Sequence, residues 1–193
     1  MASASSPPLV VGIGGSIGGV ASTERALMIA LEAAAREGFA TRLFGGEALA
    51  QLPLYNPKAS ARSEGERAFV DAVRASSAII IASPGYHGSL SGLVKNALDL
   101  LEDTARDARP YLADMPVGII ATAFGWQATG STIAALRSIV HALRGWPTPF
   151  AAAINTQLTK FDEEGGANDA AVIEQLALVG RQVARFAPLS ANG

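Results

Sequence analysis

Short apolar runs alternate with longer helical patterns five times along this sequence. Each apolar run has the length of a buried strand, and each segment that follows has the periodicity of an amphipathic helix. We predict strands at Leu9–Ile13, Phe39–Phe44 (the weakest), Ser77–Ala82, Val117–Thr122 and Phe150–Ile154, and helices at Glu24–Arg36, Glu64–Ala75, Ser91–Glu102, Ser131–Leu143 and Asp169–Phe186. Residues 45–62 are predicted to be irregular, because Pro53 and Pro57 interrupt any helix there.

This alternation favours one α/β domain built on a parallel sheet. Strands that are apolar throughout are buried on both faces, and a helix after each strand implies right-handed crossovers. Five such units fit a doubly wound, five-stranded sheet of order 2-1-3-4-5 with helices on both faces. The 193 residues show no repeat and no domain boundary, so we expect a single domain over residues 1–193, with flexible ends at 1–8 and 188–193.

The composition favours association with another protein subunit over association with nucleic acid. Apolar residues make up 49% of the chain and charged residues only 17%, which is a high ratio for a soluble monomer. The formal charge is −2, and basic and acidic residues are interspersed without a basic stripe. We therefore expect a homo-oligomer that does not bind nucleic acid.

Several kinds of site are excluded by the residue types present. The chain has no cysteine, and its two histidines, His87 and His141, are too few and too far apart for a dedicated zinc site. The first eight residues carry no positive charge and no apolar stretch, so no signal peptide is expected. No apolar run approaches the roughly 20 residues that cross a bilayer. We expect a cytoplasmic protein with no metal site and no membrane contact.

Two loops at the predicted switch point of the sheet are the richest in glycine and serine. In the order 2-1-3-4-5, the carboxyl ends of strands 1 and 3 splay apart and leave a crevice, which is where doubly wound folds bind ligands. The loops after these strands are residues 14–23 and 83–91. The architecture and the composition therefore predict the same location for a binding site.

The first of these loops, within "GIGGSIGGVASTERAL", has the features of a phosphate cradle. The helix that follows exposes backbone N–H groups and a positive dipole end, while Ser16, Ser22 and Thr23 offer hydroxyl groups. An alternative is that Ser22 or Thr23 only caps the helix and the glycines only form a tight turn. The loop lacks the lysine of a Walker motif, and Ile17 breaks the dinucleotide fingerprint. Glu24 lies close by and would repel a phosphate.

The second loop follows the most apolar strand and reads "SPGYHGSLS". Pro84 fixes its own φ and Gly85 permits unusual dihedral angles. The backbone from Gly85 to Ser89 is therefore predicted to present a row of N–H groups to a flat heterocycle, with Tyr86 and His87 covering a face or an edge of the ring. The alternative for His87 is an ordinary histidine on a surface loop.

Three stretches resemble the NADPH-dependent FMN reductase family, whose members are flavodoxin-like enzymes. They are "GSIGGVAST" after strand 1, "SPGYHGSLSGLVKNALDLLE" after strand 3 and "FGWQATGSTIAALRSIV" after strand 4, and the second is the most specific. The similarity covers roughly Leu9 to Phe186. It implies an NAD(P)H-dependent flavin oxidoreductase that takes hydride from NADPH or NADH and transfers it to FMN. No catalytic acid, base or nucleophile is expected, because the flavin carries the hydride chemistry.

The resemblance also implies which residues bind the flavin. The loop after strand 1 holds the FMN phosphate, the loop after strand 3 lines the isoalloxazine, and the loop after strand 4 closes the other side. Carried over to this chain, these residues are Ser16, Gly18, Ser22 and Thr23; then Pro84, Gly85, Tyr86, His87, Gly88 and Ser89; and finally Phe124, Gly125 and Trp126. Trp126 could stack on a ring, or it could serve as a loop-anchoring or interface aromatic.

The final electron acceptor and the assembly stay open. The resemblance implies a homodimer or homotetramer with the helix after strand 3 at an interface. Many members carry an arginine in the first loop, where this chain has Ile17 and Gly18, and weaker retention of FMN would suit an enzyme that releases reduced flavin to a partner monooxygenase. The alternatives are an FMN-containing quinone, azo-compound or metal-ion reductase, a flavodoxin-type electron carrier, which the near-neutral charge disfavours, and an interaction domain without flavin.

Overall fold

A parallel sheet forms the centre of the computed structural model, which describes residues 6–18, 21–162 and 164–190, the last three by their backbone only. Its strands are β1 (Leu9–Gly14), β2 (Ala40–Phe44), β3 (Ala78–Tyr86), β4 (Ser89–Leu90), β5 (Pro116–Ala123) and β6 (Trp146–Asn155). The five long strands are parallel and lie in the order β2-β1-β3-β5-β6. The α/β class and this doubly wound order are confirmed, but the prediction of five strands is incomplete, because β4 pairs antiparallel with the end of β3.

The helices differ from the predicted ones mainly at their ends. They are α1 (Ser22–Arg36), α2 (Gly46–Ala50), α3 (Glu64–Ala75), α4 (Gly92–Asp99), a 3-10 helix (Leu100–Thr104), α5 (Trp126–Ala142) and α6 (Ala170–Ser190). Helix α2 lies in the stretch that was predicted to be irregular, and α5 begins before Ser131, the predicted start. The segment predicted as one helix over 91–102 divides into α4 and the 3-10 helix.

Helices cover both faces of the sheet, and alternate residues of β3 are buried on opposite faces. Ile79 and Ile81 of β3 pack with residues of α3, α4 and α5 on one face. Ile80, between them, packs with α1 and α6 on the other face. All three isoleucines have no solvent exposure, and burial on both faces explains why this strand is apolar at every position from Ala78 to Ala82.

Two predictions about the ends of the chain are not tested by this structure. The segments 1–8 and 188–193 were expected to be flexible, but residues 1–5 and 191–193 lie outside the described part of the chain. The single domain over 1–193 likewise stays a prediction. Among the described residues, none of the helices combines the length and the apolar character that a membrane span requires.

Candidate functional site

The loop between β1 and α1 packs closely against the start of α2, and the end of β1 packs closely against β3, so glycine is required at both contacts. A Cβ on Gly46 would overlap the carbonyl oxygen of Ser16, and a Cβ on Gly14 would overlap the carbonyl oxygen of Ala82. These two glycines are therefore needed for close backbone approach within the protein. Gly18 differs, because it has a φ of +104° and a Cβ there would meet nothing within 4 Å. Of these three glycines, Gly18 is the one that faces open space.

Helix α1 begins at an N-cap residue that provides no side-chain cap. Its N-cap residue is Ala21, which makes no side-chain capping hydrogen bond, so the alternative that Ser22 or Thr23 caps this helix is wrong. The first intrahelical bond runs from the Arg25 N–H to the Ala21 carbonyl over 3.0 Å. The N–H groups of the preceding helical residues have no acceptor within the helix. These N–H groups form a place where an anion can be bound, and Ser16 of the preceding loop and Ser22 of the first turn are both half-buried.

Thr23 does not join this place, which corrects the prediction for its hydroxyl group. The residue is only 3% exposed. Its Oγ1 lies 2.6 Å from Oγ1 of Thr122, near the end of β5, and both groups are buried. The Thr23 hydroxyl therefore points into the protein and connects α1 to the sheet.

Glu24, the third residue of α1, connects two loops at the carboxyl edge of the sheet. Its Oε2 accepts a hydrogen bond of 2.7 Å from the backbone N–H of Gly46, at the start of α2. A Cβ on Gly15 would lie 2.8 Å from this oxygen, and one on Gly45 would lie 2.6 Å from it. The carboxylate is thus fixed against the first loop, where its charge adds a repulsive contribution to the binding of any anion at the α1 N-terminus.

The loop after β3 is a hairpin, which sequence reasoning did not predict. Strand β3 continues to Tyr86, which pairs with Ser89, while Gly85 pairs with Leu90. The two residues between the strands, His87 and Gly88, have φ values of +49° and +87°, as a type I′ turn requires. Part of the backbone from Gly85 to Ser89, which was predicted to present its N–H groups to a ligand, is therefore paired within the hairpin instead.

The hairpin exposes its tip and buries its base. Tyr86, His87 and Gly88 are exposed and Ser89 is half-buried, whereas Pro84 is buried. The tip thus presents an aromatic ring and an imidazole to solvent.

Hydroxyl groups that the sequence analysis did not single out fix the base of the hairpin. The Ser83 hydroxyl accepts a hydrogen bond of 2.9 Å from the Ser91 N–H, and Ser91 in turn caps α4. A Cβ on Gly85 would lie 2.6 Å from Oγ1 of Thr132 in α5. Thr132 also donates to the carbonyls of Ala128 and Ser89. In the sequence, the signal that could have identified these positions is a single hydroxyl residue or glycine within an otherwise apolar run.

The loop after β5 presents two exposed aromatic side chains at the start of α5. Phe124 is 73% exposed and Trp126 is 60% exposed. Gly125 is the N-cap of α5 and provides no side-chain cap. Since the carboxyl ends of parallel strands meet at one edge, these aromatics lie on the same edge as Tyr86 of the hairpin and the exposed Ile17 of the first loop. The structure therefore places the three predicted loops and the N-terminus of α1 at the same edge of the sheet.

A groove at the opposite edge of the sheet is a separate feature. It lies at the amino ends of β5 and β6 and is lined by Asp114, Trp146 and Phe186, among others. Arg109 also lines it, but its guanidinium donates to the carbonyls of Ser76, Val73 and Arg74. Burial lowers the pKa of Arg109 from its ordinary value. None of the predicted site residues lines this groove.

Comparison with known proteins identifies one family. The model of the family described as NADPH-dependent FMN reductase matches residues 8–159. An FMN-dependent NADPH-azoreductase of Staphylococcus haemolyticus (strain JCSC1435) is 32% identical over 96 residues, which are 50% of this chain and 44% of that protein. The protein of the same name from Staphylococcus aureus (strain USA300) is 34% identical over 91 residues, 47% of this chain and 42% of that protein. The match thus spans less than half the length of these relatives.

Solved structures share the fold at lower identity. The flavoenzyme NAD(P)H:(acceptor) oxidoreductase FerB of Paracoccus denitrificans superposes with a TM-score of 0.74 at 21% identity, covering 94% of this chain and 98% of that chain. An oxidoreductase of Corynebacterium diphtheriae gives 0.71 at 19% identity, covering 95% and 98%. At these identities the likeness shows a common fold, which agrees with the sheet order described above.

Proposed function

The chain belongs to the NADPH-dependent FMN reductase family, and from this premise we propose that it transfers hydride from NADPH or NADH to FMN. The observation that carries the proposal is the extent of the family match. It runs over residues 8–159 and so includes all three loops that meet at the carboxyl edge. Bound FMN supplies the hydride acceptor, so the protein itself needs to bind and orient the two nucleotides.

The first loop fits the phosphate end of FMN. The N-cap residue of α1 provides no side-chain cap, Gly18 faces open space, and Ser16 and Ser22 are half-buried. Backbone N–H groups at a helix N-terminus bind phosphate through hydrogen bonds and the helix dipole. We assign the phosphate to Ser16, Gly18 and Ser22, and we leave out Thr23 because its hydroxyl is buried against Thr122.

The hairpin and the loop after β5 fit the ring system. Tyr86, Phe124 and Trp126 are exposed aromatic residues at this edge, and an apolar planar ligand gains from contact with such rings. The hairpin backbone at His87–Gly88 and Ser89 would lie along the ring edge, with Pro84, Gly85 and Gly125 shaping the backbone behind it. These residues would orient the flavin and exclude water from one side of it.

A second candidate function is reduction of a different acceptor on the same scaffold. The curated relatives are named FMN-dependent NADPH-azoreductases, which supports azo compounds, quinones or metal ions as acceptors in place of free flavin. In that case FMN would stay bound between turnovers, and the rate would saturate as the concentration of the acceptor is raised. The supply of reduced flavin to a partner monooxygenase and a cytoplasmic location stay predictions of the sequence.

We propose that the protein acts as a homodimer or homotetramer. Leu54 is 86% exposed, although its neighbours are held in place. The Asn96 side chain in α4 accepts from the Tyr55 N–H over 2.8 Å and donates to the Pro53 carbonyl over 3.0 Å. A largely exposed leucine on a fixed segment beside α4 supports an interface at this helix.

Steady-state oxidation of NADPH and NADH with free FMN, FAD and a quinone tests the proposed function. An FMN reductase should oxidise the nicotinamide faster as free FMN is added. Saturation by quinone with no response to free flavin would favour the second candidate.

The chain offers a matched control, because its two tryptophans lie at opposite edges of the sheet. Trp126→Ala should raise the KM for FMN, and Trp146→Ala should leave it unchanged; equal effects would contradict the assigned site.

A further inference from the structure

A buried hydrogen bond joins the first turn of α1 to the end of β5. The Oγ1 atoms of Thr23 and Thr122 lie 2.6 Å apart and are separated by 99 residues in sequence. Each of these residues is only 3% exposed. In the sheet, β3 lies between β1 and β5, so this bond connects the helix that follows β1 to a strand that does not pair with β1.

The two ends of this bond lie beside the two halves of the proposed flavin site. Thr23 directly follows Ser22 in the uncapped first turn of α1, where the phosphate is assigned. Thr122 is followed by Ala123 and then by Phe124, which is assigned to the ring. The bond is therefore placed to set the separation between the phosphate-binding turn and the loop that covers the ring.

We propose that Thr23 and Thr122 are positioning residues that make the site prefer FMN to riboflavin, an inference that rests on the proposed function. A directional bond between the two halves keeps the amides of the α1 N-terminus at the distance that a ribityl phosphate spans. Riboflavin lacks the phosphate, so its binding does not depend on where these amides lie.

The packing around the pair does not require hydroxyl groups. The side chains nearby, including Ala26 and Ile120, belong to an apolar cluster between α1, α6 and the sheet. Valine has nearly the shape of threonine, and replacing both partners of a buried hydrogen bond by apolar groups of the same shape is close to neutral for stability. Replacing only one partner leaves a buried hydroxyl without its bond, which is destabilising. The double variant therefore separates stability from positioning.

The test compares four variants with a matched control. They are Thr122→Val, Thr23→Val, the double variant Thr23→Val/Thr122→Val and the conservative Thr122→Ser, while Thr148→Val is the control. Thr148 is also 3% exposed, and its hydroxyl donates to the Phe150 carbonyl. Both residues lie in the first half of β6, away from the carboxyl edge. For each protein we would measure the kcat and KM for FMN and for riboflavin with NADPH, together with the melting temperature.

We expect the KM for FMN to rise about five- to twentyfold in both single variants, in line with the loss of one phosphate hydrogen bond. The kcat and the KM for riboflavin should change less than about twofold, so the preference for FMN collapses. In the double variant the melting temperature should recover while the KM for FMN stays high. Thr122→Ser and Thr148→Val should keep the preference of the wild type.

Two results would overturn the inference. One is an equal rise in KM for FMN and riboflavin, and the other is recovery of the KM for FMN together with stability in the double variant. Both would assign the pair a structural role only. If the wild-type protein reduces neither flavin, the proposed function fails instead, and that result is seen before any variant is compared.

Discussion

Replacing Glu24 by glutamine should tighten the binding of FMN while leaving riboflavin unaffected. The Glu24 carboxylate accepts from the Gly46 N–H over 2.7 Å, and the glutamine side chain keeps an oxygen that can accept the same bond. The substitution therefore removes a negative charge from the third residue of α1 without removing the link between the two loops. A phosphate at the α1 N-terminus would feel the difference directly.

The size of the effect follows from Coulomb's law. A carboxylate in the first turn and an anion at the N-terminus of the same helix lie roughly 7 Å apart, given the rise of about 1.5 Å per residue and the length of the side chain. At an effective dielectric constant between about 40 and 80, each unit of phosphate charge then contributes about 0.6 to 1.2 kcal/mol of repulsion. A phosphate monoester carries about 1.5 to 2 such charges at pH 7, so removal of the carboxylate charge should lower the Kd for FMN by roughly five- to sixtyfold.

Titration of FMN and riboflavin against the wild type and the variant, at low and at high salt, measures this effect. The gain should shrink at high salt, because the Debye length falls to about 3 Å at 1 M. Glu32→Gln is the matched control, since Glu32 lies on the same helix, more than two turns further on, and pairs with Arg36 on the surface. An unchanged or higher Kd for FMN in the Glu24 variant, or an equal change for riboflavin, would refute the reasoning.

Three further substitutions test the supports of the site. Gly46→Ala should lower the free energy of unfolding by about 1–3 kcal/mol, since the new Cβ overlaps the Ser16 carbonyl; in urea denaturation, Gly92→Ala, where a Cβ meets nothing within 4 Å, should not. Gly85→Ala, which sets a Cβ 2.6 Å from Thr132 Oγ1, should raise the KM for FMN by moving the hairpin away from α5, and an unchanged KM would count against that packing. Arg62→Lys should lower the urea midpoint more than Arg74→Lys, because Arg62 makes two bonds of 2.8 Å to Asp103 in a mostly buried pair, whereas the Arg74 pairs are more exposed; equal losses would contradict this.

The arrangement of the long strands could be predicted because it depends on local pattern. Apolar runs such as Ile79–Ile81 indicate burial on both faces, and the helices between them impose the parallel order. The start of α5 could not be predicted in the same way. Gly125 is an N-cap without a capping side chain, and Gly130 weakens the helical pattern, so the sequence has no start signal before Ser131.

Parts of the candidate site depend on contacts between distant residues, and these were not predictable. The hairpin uses His87 at a positive φ, where the usual signal would be asparagine or aspartate followed by glycine. Thr23 has the residue type of a phosphate ligand, but its partner lies 99 residues away. Likewise, the Glu24 carboxylate accepts a hydrogen bond from the Gly46 N–H. Gly46 begins α2, a helix within the segment that is predicted to be irregular.

Quenching of tryptophan fluorescence by FMN tests most directly whether the flavin binds at the carboxyl edge. Trp146→Phe leaves Trp126 as the single tryptophan, and Trp126→Phe leaves Trp146. Both side chains are more than half exposed, at 60% and 66%, so they differ mainly in location. The proposed site predicts saturable and much stronger quenching of Trp126 than of Trp146 by FMN. Equal quenching, stronger quenching of Trp146, or no quenching of either would contradict it.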